Sequence, residues 1–340
     1  MADIVAVAIS GGVDSSVAAA LLKERCDVFG VTMQLGSDET VEAAGAVCQK
    51  LDIPLHVIDL ERQFQAEVID DFCAEYRRGR TPNPCIACNR HIKFGLLLEE
   101  AKRLGATYLA TGHYARIERD ADRYRLLQAA DRHKDQSYFL YCLGQEELRC
   151  SLFPLSDYTK GEVRRMATEL GLPTSSARES QEICFIPDND YRRFLQACLP
   201  PVPGDIVDTA GATLGRHDGV SGYTIGQRHG LGIASGERRY VVRIDANENI
   251  VIVGPEQALW NDRLLAADVR FVSGAAPQSE IAVGARIRSK SPEAEGVLSQ
   301  RGELWEVRFD RPQRAIAPGQ SVVFYRGDEV LGGGIIEGVS

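Results

Sequence analysis

From residue 4 to about residue 198 the chain alternates short apolar runs with stretches of helical period. Ile4 to Ile9 is a compact apolar run suited to a buried strand, and Asp14 to Glu24 sets Val17, Leu21 and Leu22 on one helical face. A strand at Val28 to Met33, a helix over 39–51, a strand over 55–59, an amphipathic helix over 61–78, a helix over 92–104 and a strand over 107–111 continue the alternation. This pattern predicts a parallel sheet with helices on both faces, a doubly wound α/β domain. Residues 114–129 break the rhythm: ARIER and RYRLLQ flank Asp120 to Asp122 and predict a hairpin. Helical pattern returns over 160–171 and stops at Gly171 and Pro173.

Beyond Pro200, Pro201 and Pro203 the helical period disappears. Glycines become frequent, and strands such as Tyr240 to Ile244 and Ile250 to Val253 are short. A seam near Pro255 to Asp262 divides this part in two. We expect an α/β domain over 1–198, a small β-rich domain over 199–258 and a β-barrel over 259–340.

No segment approaches the unbroken apolar run of about 20 residues that a membrane-spanning helix needs. The opening MADIVAVAISGG has no basic stretch before its apolar run, so we expect no cleaved secretory signal and a cytoplasmic protein. Nine cysteines, an odd number spread over 340 residues, argue against a disulfide framework and for reduced, catalytic or metal-binding thiols. The net charge of −9 disfavours a non-specific nucleic-acid coat but allows local basic sites. Candidates are Arg77, Arg78 and Arg80, then Arg192 and Arg193, then Arg286, Arg288 and Lys290. Scattered surface arginines are the plainer reading of each.

Ser10-Gly11-Gly12-Val13-Asp14-Ser15-Ser16 lies between the first strand and the first helix, where backbone N–H groups and the helix dipole make an anion site. A bare Gly-Gly would be an ordinary tight turn. The segment has neither the lysine of a Walker loop nor the spacing of a dinucleotide fingerprint. It resembles instead the loop of the PP-loop ATP pyrophosphatases, SGGxDS, which holds ATP while a substrate oxygen is adenylated and pyrophosphate leaves. That resemblance implies ATP contacts from Ala8, Ile9, Ser10, Gly11, Gly12, Val13, Asp14, Ser15 and Ser16, with Met33 bordering the adenine. On its own Met33 would be core packing. Mg2+ is implied by the charge that builds on the leaving pyrophosphate, and Asp14 is the most plausible ligand.

Cys85 and Cys88 form a CxxC within RTPNPCIACN, where two prolines and two asparagines read as a loop just before the 92–104 helix. Thiols near a helix N-terminus, with Arg90 and Lys93 close in sequence, are expected to have lowered pKa values. Cys184, in QEICFI, could return to the same sheet edge. Cys26, Cys48, Cys73, Cys142, Cys150 and Cys198 are most simply small buried side chains. A structural zinc would have to add Cys184 with His91 or His113 to the CxxC pair, and the closely spaced four-cysteine run of a ferredoxin is missing.

Together with SGGVDSS, the motifs GRTPNPCIACN, ATGHYAR, KDQSYFLY, SQEICFIP, TIGQRHGLG, PGQSVVFY and LGGGIIE resemble those of the tRNA-specific 2-thiouridylases over nearly the whole chain. These enzymes replace the 2-oxygen of the wobble uridine of certain tRNAs with sulfur. The resemblance implies that Cys88 is the catalytic thiol and that Cys184 accepts sulfur as a persulfide. It puts Gly112 at the nucleotide, and Asn83, His113, Lys134, Asp135, Gln136 and Gln320 at the tRNA. Without it, His113 would be a turn histidine, Lys134 and Asp135 a solvated ion pair and Gln320 a turn residue. Arg288, with Arg286 and Lys290, is our expectation for phosphate contacts to the anticodon stem.

The sequence departs from the family at one place. Many members carry NPDxxCN, with an aspartate where this chain has Cys85. Cys85, Cys88 and Cys184 could therefore ligate three corners of a [4Fe–4S] cluster whose fourth iron binds sulfide, or the persulfide route could operate. Both routes remain open, as does the sulfur source, a donor protein or sulfide. Two rivals stand beside this reading: a PP-loop amide synthetase that uses no tRNA, and a non-catalytic RNA-binding protein stiffened by zinc.

Overall fold

The computed structural model describes residues 3–36, 38–175, 183–186, 190–233 and 237–339. Gln181 and Glu182, which precede Cys184, lie outside the described residues.

Strands β1 (Ile4–Ala8), β2 (Asp27–Gln34), β3 (Leu55–Asp59) and β4 (Tyr108–Ala110) are followed by a hairpin of β5 (Ala115–Asp120) and β6 (Arg123–Gln128), then by β7 (Ser151–Leu152). The sheet runs β3-β2-β1-β4-β7 and is parallel throughout. Its central strand is apolar on both faces, as a strand covered from two sides must be. Val5 and Val7 pack with Ala19, Ala44 and Val47, from α1 (Val13–Lys23) and α2 (Asp38–Leu51). Ala6 packs on the opposite face with Phe64, Ile92 and Leu97. Strand order reverses beside β1, so the carboxyl ends of β1 and β4 open the crevice where such sheets bind ligands.

The helix expected over 92–104 starts earlier. It opens at Pro84, with Asn83 as its N-cap, and runs as α over Pro84–Ala87, π over Cys88–Leu97 and α over Leu98–Arg103. Proline at the first helical position is preorganised for the turn, so it starts this helix where the sequence suggested a loop. The i→i+5 register of the middle stretch breaks the 3.6-residue period that would have marked it. Both CxxC cysteines are thus helical residues. The helix over 61–77 has a similar π insert at Gln65–Asp70.

Strands β8 (Gly204–Asp208), β9 (Thr213–His217), β10 (Tyr240–Asp245) and β11 (Ile250–Gly254) form a sheet ordered β10-β11-β8-β9 around Ile206, Val241 and Val251. Strands β12 (Trp260–Phe271), β13 (Ile281–Arg286), β14 (Ala294–Arg301), β15 (Leu304–Arg314), β16 (Ser321–Arg326) and β17 (Glu329–Gly338) close into a barrel when β12 pairs with β17. The expected hairpin is present, but it serves the barrel: β6 pairs with β17 through Glu329 opposite Leu127 and Val330 opposite Leu126. Among the described residues no helix is long and apolar enough to cross a membrane.

Candidate active site

The phosphate loop is built by its own side chains. Ser15 Oγ accepts from the Ser10 N–H at 3.2 Å, while the Ser15 and Ser16 hydroxyls both donate to the Gly12 carbonyl, at 3.1 and 2.8 Å. Ser16 is fully buried and also accepts from the Thr174 hydroxyl. Gly12 is the N-cap of α1 and no side chain caps that end, which leaves first-turn N–H groups for an anion. Gly11 needs its left-handed φ of +71°, and a Cβ there would lie 2.5 Å from that of Ala43. Gly112, just after β4, closes the other wall: a Cβ would come within 2.7 Å of the Ser15 nitrogen. Ile9 is core, and Met33 is half-buried at the edge of it.

Asp14 is not an isolated carboxylate. Lys160 Nζ lies 2.7 and 2.6 Å from its two oxygens, and the Tyr114 hydroxyl donates to it at 2.9 Å. Lys160 is the first residue of the helix Lys160–Glu169, whose N-cap Thr159 forms a capping box with Glu162. A cation at that end opposes the helix dipole, so Asp14 offsets a placement that local helix energetics disfavour. Sequence reasoning missed Lys160. The T-x-x-E signature was there to find the helix start, but nothing local ties residue 160 to residue 14.

Cys85, Cys88 and Cys184 lie within electrostatic reach of one another. Charge on Cys184 is felt by both other thiols, and Lys93 acts on all three. Cys88 is buried, whereas Cys85 and Cys184 reach solvent. The expected lowering of their pKa values is not found. Desolvation by the surrounding protein outweighs the Lys93 ammonium, so all three are raised, Cys88 to about 11. Lys93 Nζ donates to Asn89 Oδ1 at 3.1 Å, and buried Asn89 donates to the Phe139 carbonyl. The π register places residue 93 one hydrogen-bonded turn beyond residue 88. Of the remaining thiols, Cys198 is exposed and Cys26 half-buried, against the expectation of burial.

His113 bonds Thr111 Oγ1 through Nδ1 at 2.7 Å and lies against Phe94 and Phe153. Burial, and then Lys93, hold its pKa well below the usual histidine value, so the ring is neutral. His91 faces Glu67. Among the described residues no three His, Cys, Asp or Glu side chains are placed to hold a single metal ion.

The other expected tRNA contacts have internal partners. The Asp135 carboxylate is buried, accepts from Ala129 N–H and from both the N–H and hydroxyl of Ser137, and lies 3.6 Å from Arg286. Gln136 exchanges bonds with the Tyr114 backbone, and the Lys134 N–H donates to Asp131. Arg288 donates to the carbonyls of Ile225 and Ala315. Gln320 donates to the carbonyls of Thr81 and Pro82, just before Asn83. Of the basic trio only Lys290 is exposed.

A lysine-free phosphate loop at the switch point of a parallel sheet, with two β domains appended, defines a PP-loop ATP-using enzyme. Sequence profiles agree: residues 3–188 match a tRNA methyl transferase HUP domain, 192–255 a tRNA methyl transferase PRC-barrel domain and 261–336 an aminomethyltransferase beta-barrel domain. The tRNA-specific 2-thiouridylase MnmA 1 of Caldanaerobacter subterraneus is 49% identical, over 98% of this chain and 97% of its own. The corresponding enzymes of Roseiflexus sp. and Heliobacterium modesticaldum are each 48% identical, over 97% and 99% of this chain and 98% and 93% of theirs. The chain belongs to the tRNA-specific 2-thiouridylase family.

Proposed function

We infer that this enzyme makes 2-thiouridine at the wobble position of tRNA in the cytoplasm, in two steps at one site. ATP lies along the phosphate loop, and the uridine 2-oxygen attacks its α-phosphorus as pyrophosphate leaves. First-turn N–H groups of α1 meet the departing charge and Lys160 meets a phosphate, while Asp14 would be the residue to hold Mg2+, which would supply further countercharge for the pyrophosphate. Adenylation turns a poor leaving group at C2 into AMP.

Sulfur then replaces that oxygen. In the persulfide route the outer sulfur on Cys184 attacks C2, the C2–O bond breaks and AMP leaves. The Cys88 thiolate attacks Cys184 Sγ, which frees thiouridine and leaves a Cys88–Cys184 disulfide for a thiol reductant to reopen. The cluster route would draw on the same three thiols, two of them open to solvent. Cys85, Cys88 and Cys184 would hold a [4Fe–4S] cluster, which would supply an iron with an open position for sulfide. His113, neutral, stacks or hydrogen-bonds without carrying charge. Extruding the base from the anticodon loop into this pocket is the usual way for an enzyme to reach an unpaired nucleotide.

The observation that carries this reading is the reach of Lys93. Its charge acts on Cys85, Cys88, Cys184 and His113, and Gly112, next to His113, lies against Asp14 and Ser15. These couplings support a reading in which the nucleotide loop and the thiols work together. The test is pyrophosphate release that depends on tRNA, with 2-thiouridine read by mass spectrometry of digested tRNA under anaerobic conditions with sulfide or a persulfide donor. Pyrophosphate release without tRNA would favour an amide synthetase, and no ATP turnover at all would leave an RNA-binding protein. An iron-free enzyme with full thiolation activity removes the cluster route.

A further inference from the structure

The segment that leads into the cysteine helix is held from outside its own domain. The Arg80 guanidinium bonds Glu75 at 2.6 Å through Nε and both carboxylate oxygens of Glu337, on β17, at 2.7 and 2.9 Å. Next in the chain, the Thr81 N–H donates to the Pro318 carbonyl at 2.8 Å and the Thr81 carbonyl accepts from Gln320 at 2.8 Å. Gly319, at φ +88°, lies so close that a Cβ would be 2.8 Å from the Thr81 nitrogen. Both backbone groups of Thr81 are thus satisfied by the barrel. Pro82 and Pro84 then restrict the path to Cys85.

Ile86 anchors one side of the helix start in the core, but the opposite flank is open. A cavity of about 750 Å3 runs along it, lined by Arg80, Pro82, Asn83, Ile86 and Ala87. On that flank, the start of the cysteine helix is set by directional polar bonds. A bidentate arginine–carboxylate pair is well suited to this, because its planar fork fixes orientation as well as distance.

We propose that Arg80 is a positioning residue for sulfur transfer, locking the cysteine helix to the C-terminal barrel through Glu337. The barrel is then part of the sulfur-transfer machinery. This deepens the reading given above and rests on it. Arg80 touches neither reacting atom. Its work is to keep Cys85 and Cys88 in register with Cys184 and the nucleotide.

The experiment compares the two half-reactions in the full-length enzyme with ATP, substrate tRNA and sulfide. Single-turnover pyrophosphate release reports adenylation, and mass spectrometry reports 2-thiouridine. For Arg80→Met and Glu337→Leu we expect pyrophosphate release within about threefold of wild type. Thiolation should fall on the order of 100-fold, the scale on which a 1 Å misplacement costs rate. Glu337→Leu cuts only the link to the barrel carboxylate while Arg80→Met also removes the bond to Glu75, so the double variant should be no worse than Arg80→Met alone. Arg80→Lys, which keeps charge without the fork, should recover part of the loss. Equal loss of both half-reactions, additive single effects, or undiminished thiolation would each overturn the proposal. A wild-type enzyme that releases no pyrophosphate with tRNA fails the functional reading itself, an outcome visible before any variant is made.

Discussion

Lys160 Nζ grips both carboxylate oxygens of Asp14, at 2.7 and 2.6 Å, across 146 positions of sequence. The pair closes the phosphate loop against a helix from the far side of the domain. In Lys160→Met, Asp14 keeps its bond from Tyr114, so the fold should hold. A charge-assisted bond to phosphate is worth about 1.5–3 kcal/mol, so ATP affinity should fall roughly 10- to 100-fold, measured by calorimetry. Unchanged affinity would remove Lys160 from the nucleotide site.

Gly112 leaves no room for a side chain, since its Cβ would sit 2.7 Å from the Ser15 nitrogen and 2.8 Å from the Asp14 carbonyl carbon. Those are backbone atoms and cannot rotate away. Gly112→Ala should cost about 1–3 kcal/mol of stability by overpacking. It should also depress pyrophosphate release, because the loop itself must shift. Thermal unfolding and ATP turnover check the two effects.

The pKa of His113 is lowered by burial, then by Lys93. Its folded pKa lies below its unfolded one, so the neutral ring contributes stability that is fully present above pH 6.5 and is lost as pH falls below it. No limb of the thiolation pH profile near 6.5 should belong to His113. Titration of its ring resonances by NMR between pH 5.5 and 8 should be flat, and a midpoint near 6.5 would contradict the buried neutral ring.

Cys88 is pushed up to about 11 by burial, only partly opposed by Lys93. Thiolate is the reactive form, so alkylation of Cys88 in the free enzyme should be slow at pH 7 and rise about tenfold per pH unit up to 10. Site-resolved mass spectrometry gives the profile. A plateau already reached at pH 8 would show an activated thiol in the resting enzyme.

Replacing Cys88 or Cys184 with serine should abolish thiolation while leaving tRNA-dependent pyrophosphate release, because adenylation uses no sulfur. Cys85→Ala separates the routes. It should leave a persulfide mechanism largely intact, but remove iron and activity together if a cluster is the working form. Anaerobic iron analysis with parallel thiolation assays decides between them.

Much of this was legible before the fold was known. The doubly wound sheet followed from alternating apolar runs and helical periods, and the phosphate loop from glycines placed between strand and helix. The helix starting at Pro84 was not legible as such. Its π register hides the period, and prolines beside asparagines look like a loop until one of them occupies the first helical position. The thiol pKa values went the wrong way because neighbours in sequence advertise Lys93, whereas burial, which outweighs it, is a property of the whole site. Asp135, Arg288 and Gln320 looked like surface groups and proved to hold internal bonds.

Sequence by itself determined what is local: the order of strands and helices, the glycine turn that admits a phosphate, the proline that starts the cysteine helix, and the family. Tertiary structure decided what depends on distant groups. It brought Lys160 to Asp14 and Cys184 within electrostatic reach of Cys88, buried Cys88 enough to keep it protonated, and hung the cysteine segment from the barrel through Arg80 and Glu337. The division has a physical cause. Backbone conformation answers to neighbours a few residues away, whereas desolvation and ion pairing answer to whatever the fold brings within a few ångströms.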